Sequence, residues 1–383
     1  MICYQVPKKL MISAGETSGE LYGAMLCREV KKLWPDVEFS GIGGSRMKEE
    51  GVSLIAPISH LIGIVEVVRH LGEILGTFKK AKNALVNNRP DLLVLIDYPD
   101  FNLALAKKAK QAGIPILYYV SPQVWAWRKG RIHKIAALVD KIAVLFPFEV
   151  DCYKETGLSC EFVGHPITER MNIDRTKAEL KTDLGLDPER DVVTLLPGSR
   201  PGEIERHQEI ILQLAGKIHK EFPAMQIVVP LVEGTKLDVT LPDYTLTIYD
   251  RTLEAVACSE ASAVTSGTAT LETALLGIPM LVFYRTSPFT FHLVKALTSI
   301  KYVALANLLA GKEIVPELLQ KDATPDNIFD ALKKILTDST YRNNMISELG
   351  KITESMKGKS PSTRVASIVG EIAGWESKDA AAL

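Results

Sequence analysis

The stretch Val264-Thr265-Ser266-Gly267-Thr268-Ala269-Thr270-Leu271-Glu272 decides how the rest of the chain is read. It reads as the end of a buried strand, a tight turn on Gly267 and the first turn of a helix that carries an acid. Small residues at the junction leave several backbone N–H groups unshielded. A helix N-terminus of this kind attracts phosphate through its unpaired donors and its dipole. Glu272 lies about one helical turn further in, where a carboxylate reaches a ribose hydroxyl. Ser/Thr-capped strand–helix junctions also occur throughout α/β proteins without a ligand. The choice is between a nucleotide diphosphate site in the second half of the chain and a plain cap.

Short Val-, Ile- and Leu-rich runs alternate with helical patterns on both sides of this turn. The spacing predicts strands at 9–14, 37–42, 92–97, 115–120, 141–146 and 160–164, then at 191–196, 226–231, 244–249, 262–266 and 279–284. Apolar runs without alternation, separated by helices, indicate parallel sheets covered on both faces and joined by right-handed crossovers. The pattern breaks in the polar segment between Pro166 and Arg190 and restarts at Val192. The expected class is therefore α/β, with two doubly wound, Rossmann-like domains facing a central cleft and ligands at the carboxyl ends of the strands. The boundaries predicted are 1–168 and 189–340. Helical patterns at 325–336, 339–356 and 361–376 follow, and 341–383 is read as a helical tail free to pack back on the N-terminal domain.

Composition agrees with two globular domains in 383 residues. A net charge of −1 supplies no global basic field for nucleic acid. Cys3, Cys27, Cys152, Cys160 and Cys258 are scattered and odd in number, which fits a reducing compartment and neither a disulfide framework nor a zinc site. No apolar run reaches the roughly 18–20 residues of a membrane span. The short polar lead before the first strand does not read as a signal peptide.

Each half opens with a strand running into a glycine-containing turn. In the first it is Ala14-Gly15-Glu16-Thr17-Ser18-Gly19-Glu20, and in the second Leu196-Pro197-Gly198-Ser199-Arg200. Small residues permit close backbone approach to a ligand, and Ser199 and Arg200 add donors for an anion. Neither is the phosphate loop of NTPases, since no Gly-Lys-Ser/Thr follows. Gly41-Ile42-Gly43-Gly44 is a fragment of a dinucleotide fingerprint and is read as a turn. Leu95-Ile96-Asp97-Tyr98-Pro99-Asp100-Phe101-Asn102 ends a buried strand with two acids. They suit a general base at a cleft, and Asp100 or Asn102 equally suits a helix cap. No cluster has metal-ligand spacing, so no metal is expected.

Ser121-Pro122-Gln123-Val124-Trp125-Ala126-Trp127-Arg128-Lys129-Gly130-Arg131 joins aromatics to a basic run, suited to an anionic substrate or to a solvated basic face. From Leu61 to Lys82 an apolar stripe of Leu61, Ile64, Val65, Val68, Leu71 and Leu75 has helical spacing, flanked by His70, Lys79, Lys80 and Lys82. Such a helix either packs on a core or dips into anionic lipid.

Taken in order, these segments resemble the lipid-A-disaccharide synthase family. The residues that carry the resemblance are Gly15-Glu-Thr-Ser-Gly-Glu20, Gly63-Ile-Val-Glu-Val67, Asp97-x-Pro-Asp-Phe-Asn102 and Tyr119-Val-Ser-Pro-x-Val-Trp-Ala-Trp-Arg128. They continue with Leu195-Leu-Pro-Gly-Ser-Arg200, Ser266-Gly-Thr-Ala269, Pro288-Phe-Thr-Phe291 and Asn307-Leu-Leu-Ala-Gly311. The resemblance implies an inverting glycosyltransferase of the GT-B type. Its substrates would be UDP-2,3-diacylglucosamine, a substrate and not a cofactor, and 2,3-diacylglucosamine 1-phosphate. The products would be the disaccharide 1-phosphate of lipid A and UDP.

Carried over position by position, the resemblance makes Asp100 the general base and Glu16 a second acid of the cleft. It assigns Gly198, Ser199, Arg200, Gly267, Thr268, Ala269, Glu272 and Asn307 to UDP. Thr17, Ser18, Trp127 and Arg128 would line the acceptor side, and Ile64, Val65, Val68, Leu71 and Leu75 would meet an anionic phospholipid bilayer. It places the protein in the cytoplasm, peripheral on the inner face of the inner membrane of a Gram-negative cell, with a homodimer as a further partner. Rival readings are another UDP-sugar GT-B enzyme, either a UDP-N-acetylglucosamine 2-epimerase or the lipid II glycosyltransferase, and a non-catalytic nucleotide-sugar binder on the membrane. The order of the motifs disfavours the first two, and the presence of Glu16, Asp100 and Arg200 disfavours the third.

Overall fold

A computed structural model describes residues 7–57, 71–122, 124, 130–171, 173–287, 301–358 and 360–376. It divides into two compact units, one of residues up to Pro166 together with those from Gly358 onward, the other of Ile167–Lys357.

The first unit is built on a seven-stranded parallel sheet. In chain order its elements are β1 (Lys9–Ala14), α1 (Thr17–Leu33), β2 (Glu38–Gly43), α2 (Ser45–Glu49), β3 (Ser53–Pro57), α3 (Leu71–Asn88), β4 (Leu92–Ile96) and α4 (Pro99–Gln111). They continue with β5 (Ile116–Tyr119), α5 (Arg131–Ala136), β6 (Lys141–Val144), α6 (Pro147–Tyr153) and β7 (Ser159–Phe162). The sheet order is β3-β2-β1-β4-β5-β6-β7. Every residue of β4 and β5 is buried, as expected of strands covered on both faces. The turn after β2 is closed by the protein itself: the buried Glu20 carboxylate accepts the Arg46 N–H at 2.9 Å, so an internal acid occupies the start of α2.

The second unit holds a six-stranded parallel sheet in the order β10-β9-β8-β11-β12-β13. Its elements are α7 (Lys177–Asp183), β8 (Val192–Leu196), α8 (Pro201–Glu221), β9 (Gln226–Leu231), β10 (Thr245–Tyr249), α9 (Thr252–Ala257) and β11 (Ala261–Thr265). They continue with α10 (Thr268–Leu275), β12 (Met280–Tyr284), α11 (Leu305–Ala310), β13 (Glu317–Leu319), α12 (Pro325–Thr337) and α13 (Ser339–Met356). The last helix, α14 (Pro361–Ala373), lies in the first unit, where Gly370 sits so close to Trp34 that a Cβ would approach its ring to 2.3 Å.

The structure redraws the predicted boundaries. The polar segment before 189 is part of the second unit: Leu180, Leu184 and Leu186 pack with Val192, Val228 and Ala255, and Lys181 Nζ donates to the Arg190 carbonyl at 2.8 Å. The segment 341–383 is not one tail. Met345, Leu349, Ile352 and Met356 bury α13 in the second unit, and only the chain beyond Gly358 belongs to the first. Strands β3 and β13 had no counterpart in the sequence reading. Both are short strands at the edges of their sheets, of five and three residues.

Candidate active site

At the carboxyl edge of the first sheet, adjacent strands β4 and β5 end in unusual backbone. Asp97 and Tyr98 have φ of 50° and 46°, and Val120 has φ of 67°. Left-handed conformations in residues other than glycine cost about 1–3 kcal/mol each and concentrate at functional sites; for a β-branched valine the conformation is a true outlier. Buried Asn102 spans the corner. Its Nδ2 donates to the carbonyls of Asp97 at 2.7 Å, Ile96 at 3.2 Å and Ser13 at 3.3 Å, while its Oδ1 accepts the Ser13 hydroxyl at 2.7 Å. The Tyr118 hydroxyl donates to the same Asp97 carbonyl at 2.8 Å. Asn102 is therefore not the helix cap its sequence position suggested.

Gly15 faces Tyr98 so closely that a Cβ would lie 2.2 Å from the ring, so only glycine brings the Glu16 loop against this corner. Burial first, and the negative charge of Glu16 second, push the Asp97 carboxyl up to about 6. Asp100, the acid the resemblance singled out, stands in a different setting. Its side chain is 78% exposed and ion-paired with Arg131, which is 11% exposed. Asp97 is thus the acid of the pair that is held in the corner.

Ser18 is exposed at the start of α1. Trp127, Arg128, Ile64, Val65 and Val68 lie outside the described residues, as do the side chains of Thr17 and Leu71. Leu75 is 60% exposed, while neighbouring Ile74 and Phe78 pack on the core. Among the described residues no helix is long and apolar enough to cross a membrane, and no three His, Cys, Asp or Glu side chains gather as a metal-holding group.

In the second unit, paired strands β8 and β11 run into two turns side by side. Gly267 has φ of 156° and ψ of −165°, a region that only glycine occupies readily. Thr270 turns its hydroxyl back to the Gly267 carbonyl at 2.8 Å and Thr273 to the Ala269 carbonyl at 2.8 Å, leaving Thr268 and Ala269 half-buried at the mouth. Glu272 is half-buried; burial raises its carboxyl and the Arg170 guanidinium partly offsets that.

The Pro197-Gly198-Ser199-Arg200 turn is braced by two residues the sequence reading missed. Buried His207 bonds through Nδ1 to the Pro197 carbonyl at 2.8 Å, and its Nε2 accepts the Arg285 N–H at 3.0 Å. That second bond fixes the proton on Nδ1, and burial lowers the ring's proton affinity. Buried Glu203 accepts the Ser199 N–H at 3.3 Å and the Tyr284 hydroxyl at 3.3 Å and pairs with Arg200 at 3.6 Å. Their spacing of four residues, in the first two turns of the helix after the loop, was the available signal.

Asn307, expected beside the diphosphate, is held by the protein's own groups. It is fully buried, and its amide donates to the Val315 carbonyl and Glu317 Oε1 and accepts the N–H groups of Ile314 and Val315. With that capacity spent internally it braces the loop before β13.

The model of the lipid-A-disaccharide synthetase family matches residues 10–368. The chain belongs to this family. A curated lipid-A-disaccharide synthase of Geobacter sulfurreducens is 42% identical over 380 residues, covering 96% of this chain and 97% of that one. The chain is accordingly an enzyme, the glycosyltransferase that forms the disaccharide of lipid A. Among solved structures, the glycosyltransferase of kitacinnamycin superposes with a TM-score of 0.68 at 14% identity, covering 96% of this chain and all of that one. Staphylococcus aureus MnaA with UDP does so with a TM-score of 0.68 at 12% identity, covering 96% and 98%. These likenesses show the GT-B fold, two Rossmann-like domains in one chain, that such transferases and epimerases share.

Proposed function

We propose that the chain joins UDP-2,3-diacylglucosamine to 2,3-diacylglucosamine 1-phosphate by a single inverting displacement, with Asp97 as the general base. The observation that carries the assignment is the acid at the end of β4, held in left-handed backbone and pushed up to about 6 beside Glu16. Such a carboxylate is ionised at neutral pH yet binds a proton more tightly than an exposed one. It takes the proton of the acceptor 6-hydroxyl as that oxygen bonds to the donor's anomeric carbon. The bond from that carbon to the diphosphate oxygen breaks, and the electron pair leaves on UDP. The N–H groups at the start of α10 and the Arg200 guanidinium receive the growing negative charge. No metal or cofactor enters this scheme.

Both substrates carry two acyl chains, each buried methylene favouring the bilayer by about 0.8 kcal/mol. The reading therefore includes a peripheral seat on the inner face of the inner membrane, through the apolar stripe that ends at Leu75.

The test is turnover of purified protein with both lipid substrates, products read by mass spectrometry. Asp97→Asn is expected to lose about 10²–10⁴-fold in kcat and Asp100→Asn much less. The reverse ranking returns the base to Asp100. Co-sedimentation with vesicles containing anionic lipid tests the membrane seat, and protein left in the supernatant removes it.

A further inference from the structure

We propose that Asn102 and Tyr118 are positioning residues that act through the Asp97 carbonyl to hold its carboxylate in the corner beside Glu16. The inference rests on the reading of Asp97 as the base. A carbonyl oxygen offers two lone pairs, and here each meets a buried donor, Asn102 Nδ2 at 2.7 Å and the Tyr118 hydroxyl at 2.8 Å. If Asp97 relaxed to ordinary backbone its carbonyl would swing away, stranding the Tyr118 hydroxyl in the protein interior and costing Asn102 the shortest of its three amide bonds. The donors therefore oppose relaxation, and the side chain stays where the left-handed conformation puts it.

The Asn102 end of the device is itself fixed. Ser13 occupies Oδ1, which dictates that the NH₂ group faces Asp97. Asn102 lies within α4, and it donates to strand-end carbonyls instead of accepting a helix N–H, so capping does not explain it. The three anchors come from three neighbouring strand ends: Ser13 on β1, Asp97 after β4 and Tyr118 on β5.

The charged and titratable groups acting on this corner are Glu16 from the loop after β1, Tyr118 and Tyr153, and the Asp100–Arg131 ion pair. Tyr118 is raised well above the ordinary phenol range, by burial and then by Asp97, so it remains a donor throughout the working pH range.

Tyr118→Phe removes one O–H and keeps the ring's packing. An Asp97 that relaxes gains water, and its proton affinity falls. The acid limb of kcat is expected to move from about 6 toward the ordinary carboxylate range near about 4. The value of kcat at its plateau drops about 10–100-fold, with the donor KM unchanged. Asn102→Ala, which removes the other donor without adding charge, shifts the limb in the same direction.

The second measurement is the carboxyl ¹³C titration of Asp97 in folded protein, with Asp97→Asn as the blank. A lower midpoint in Tyr118→Phe supports positioning, and an unmoved midpoint overturns it. A fall in kcat with the acid limb in place marks a merely structural role and also overturns it. If Asp97→Asn is inactive while Tyr118→Phe behaves as wild type, positioning fails and the base reading stands. If Asp97→Asn keeps full turnover, the base reading fails, and the titration alone decides whether the carbonyl clamp sets the environment of Asp97.

Discussion

Asp97 and Asp100 are three residues apart and were equally visible in the sequence, yet the fold treats them as opposites. One is turned into a corner by two left-handed residues; the other stands in solvent beside Arg131. Local pattern could not separate them, because what holds Asp97 comes from Asn102 on the next helix and Tyr118 on the next strand. The same difference has a stability signature. The folded value of about 6 exceeds an unfolded value near about 3.9, so the native state binds the extra proton between those limits and stability falls as pH rises through them. Asp97→Asn removes that loss. It is expected to be more stable than wild type at pH 7 by on the order of 1–3 kcal/mol, with the gain vanishing below about pH 4. Denaturant titration at the two pH values checks this, and equal midpoints at both would show that Asp97 is not held in a proton-retaining site. The burial of Asn307 was not legible, because a motif match carries no information about burial.

At the scale of elements, the strand–turn–helix units were readable wherever a buried strand meets small residues. The turn between β11 and α10 is the clearest instance, since its shape depends on backbone that few residues adopt. Nothing lies within 4 Å of a Cβ added to Gly267, so alanine there meets a conformational obstacle and not a steric one. Gly267→Ala is expected to weaken UDP binding by about tenfold or more while the fold survives, because the strain is relieved by moving the N–H groups off the diphosphate. Calorimetric titration with UDP measures this, and unchanged affinity would remove the turn from the nucleotide site. The partners of these turns escaped the sequence reading for a different reason. Glu203 and His207 read as ordinary polar positions of a long helix until the fold brings Ser199, Tyr284 and Arg285 to them.

At the scale of the molecule, two doubly wound halves followed from apolar runs alone, but the ownership of the last helices did not. Periodicity says that a helix has a face to bury and not which surface receives it. Helix α14 is tied to the first unit by charge as well as packing. Arg364 binds Glu161 through two nitrogens at 2.5 and 2.9 Å and Glu371 at 2.6 Å, and Lys141 completes the group at 2.8 Å from Glu161. The Arg364 guanidinium, followed by Lys141, pulls the Glu161 carboxyl down to about 2. The stabilisation is present above the ordinary glutamate range and is lost as pH falls toward that value. The groups are partly exposed, so Arg364→Leu is expected to cost only about 1 kcal/mol, less in high salt. Thermal melts at two ionic strengths test it, and a cost independent of salt would assign the anchoring to packing around Trp34.

Because α14 joins the first unit from beyond the second in sequence, the packing of that unit does not follow the order of synthesis. The segment from Ile167 to Lys357 is complete when its own last residue emerges from the ribosome, whereas the sheet that emerged earlier waits for its final helix. The nascent chain therefore carries an unfinished N-terminal half, with Trp34 uncovered, until α14 itself has been made.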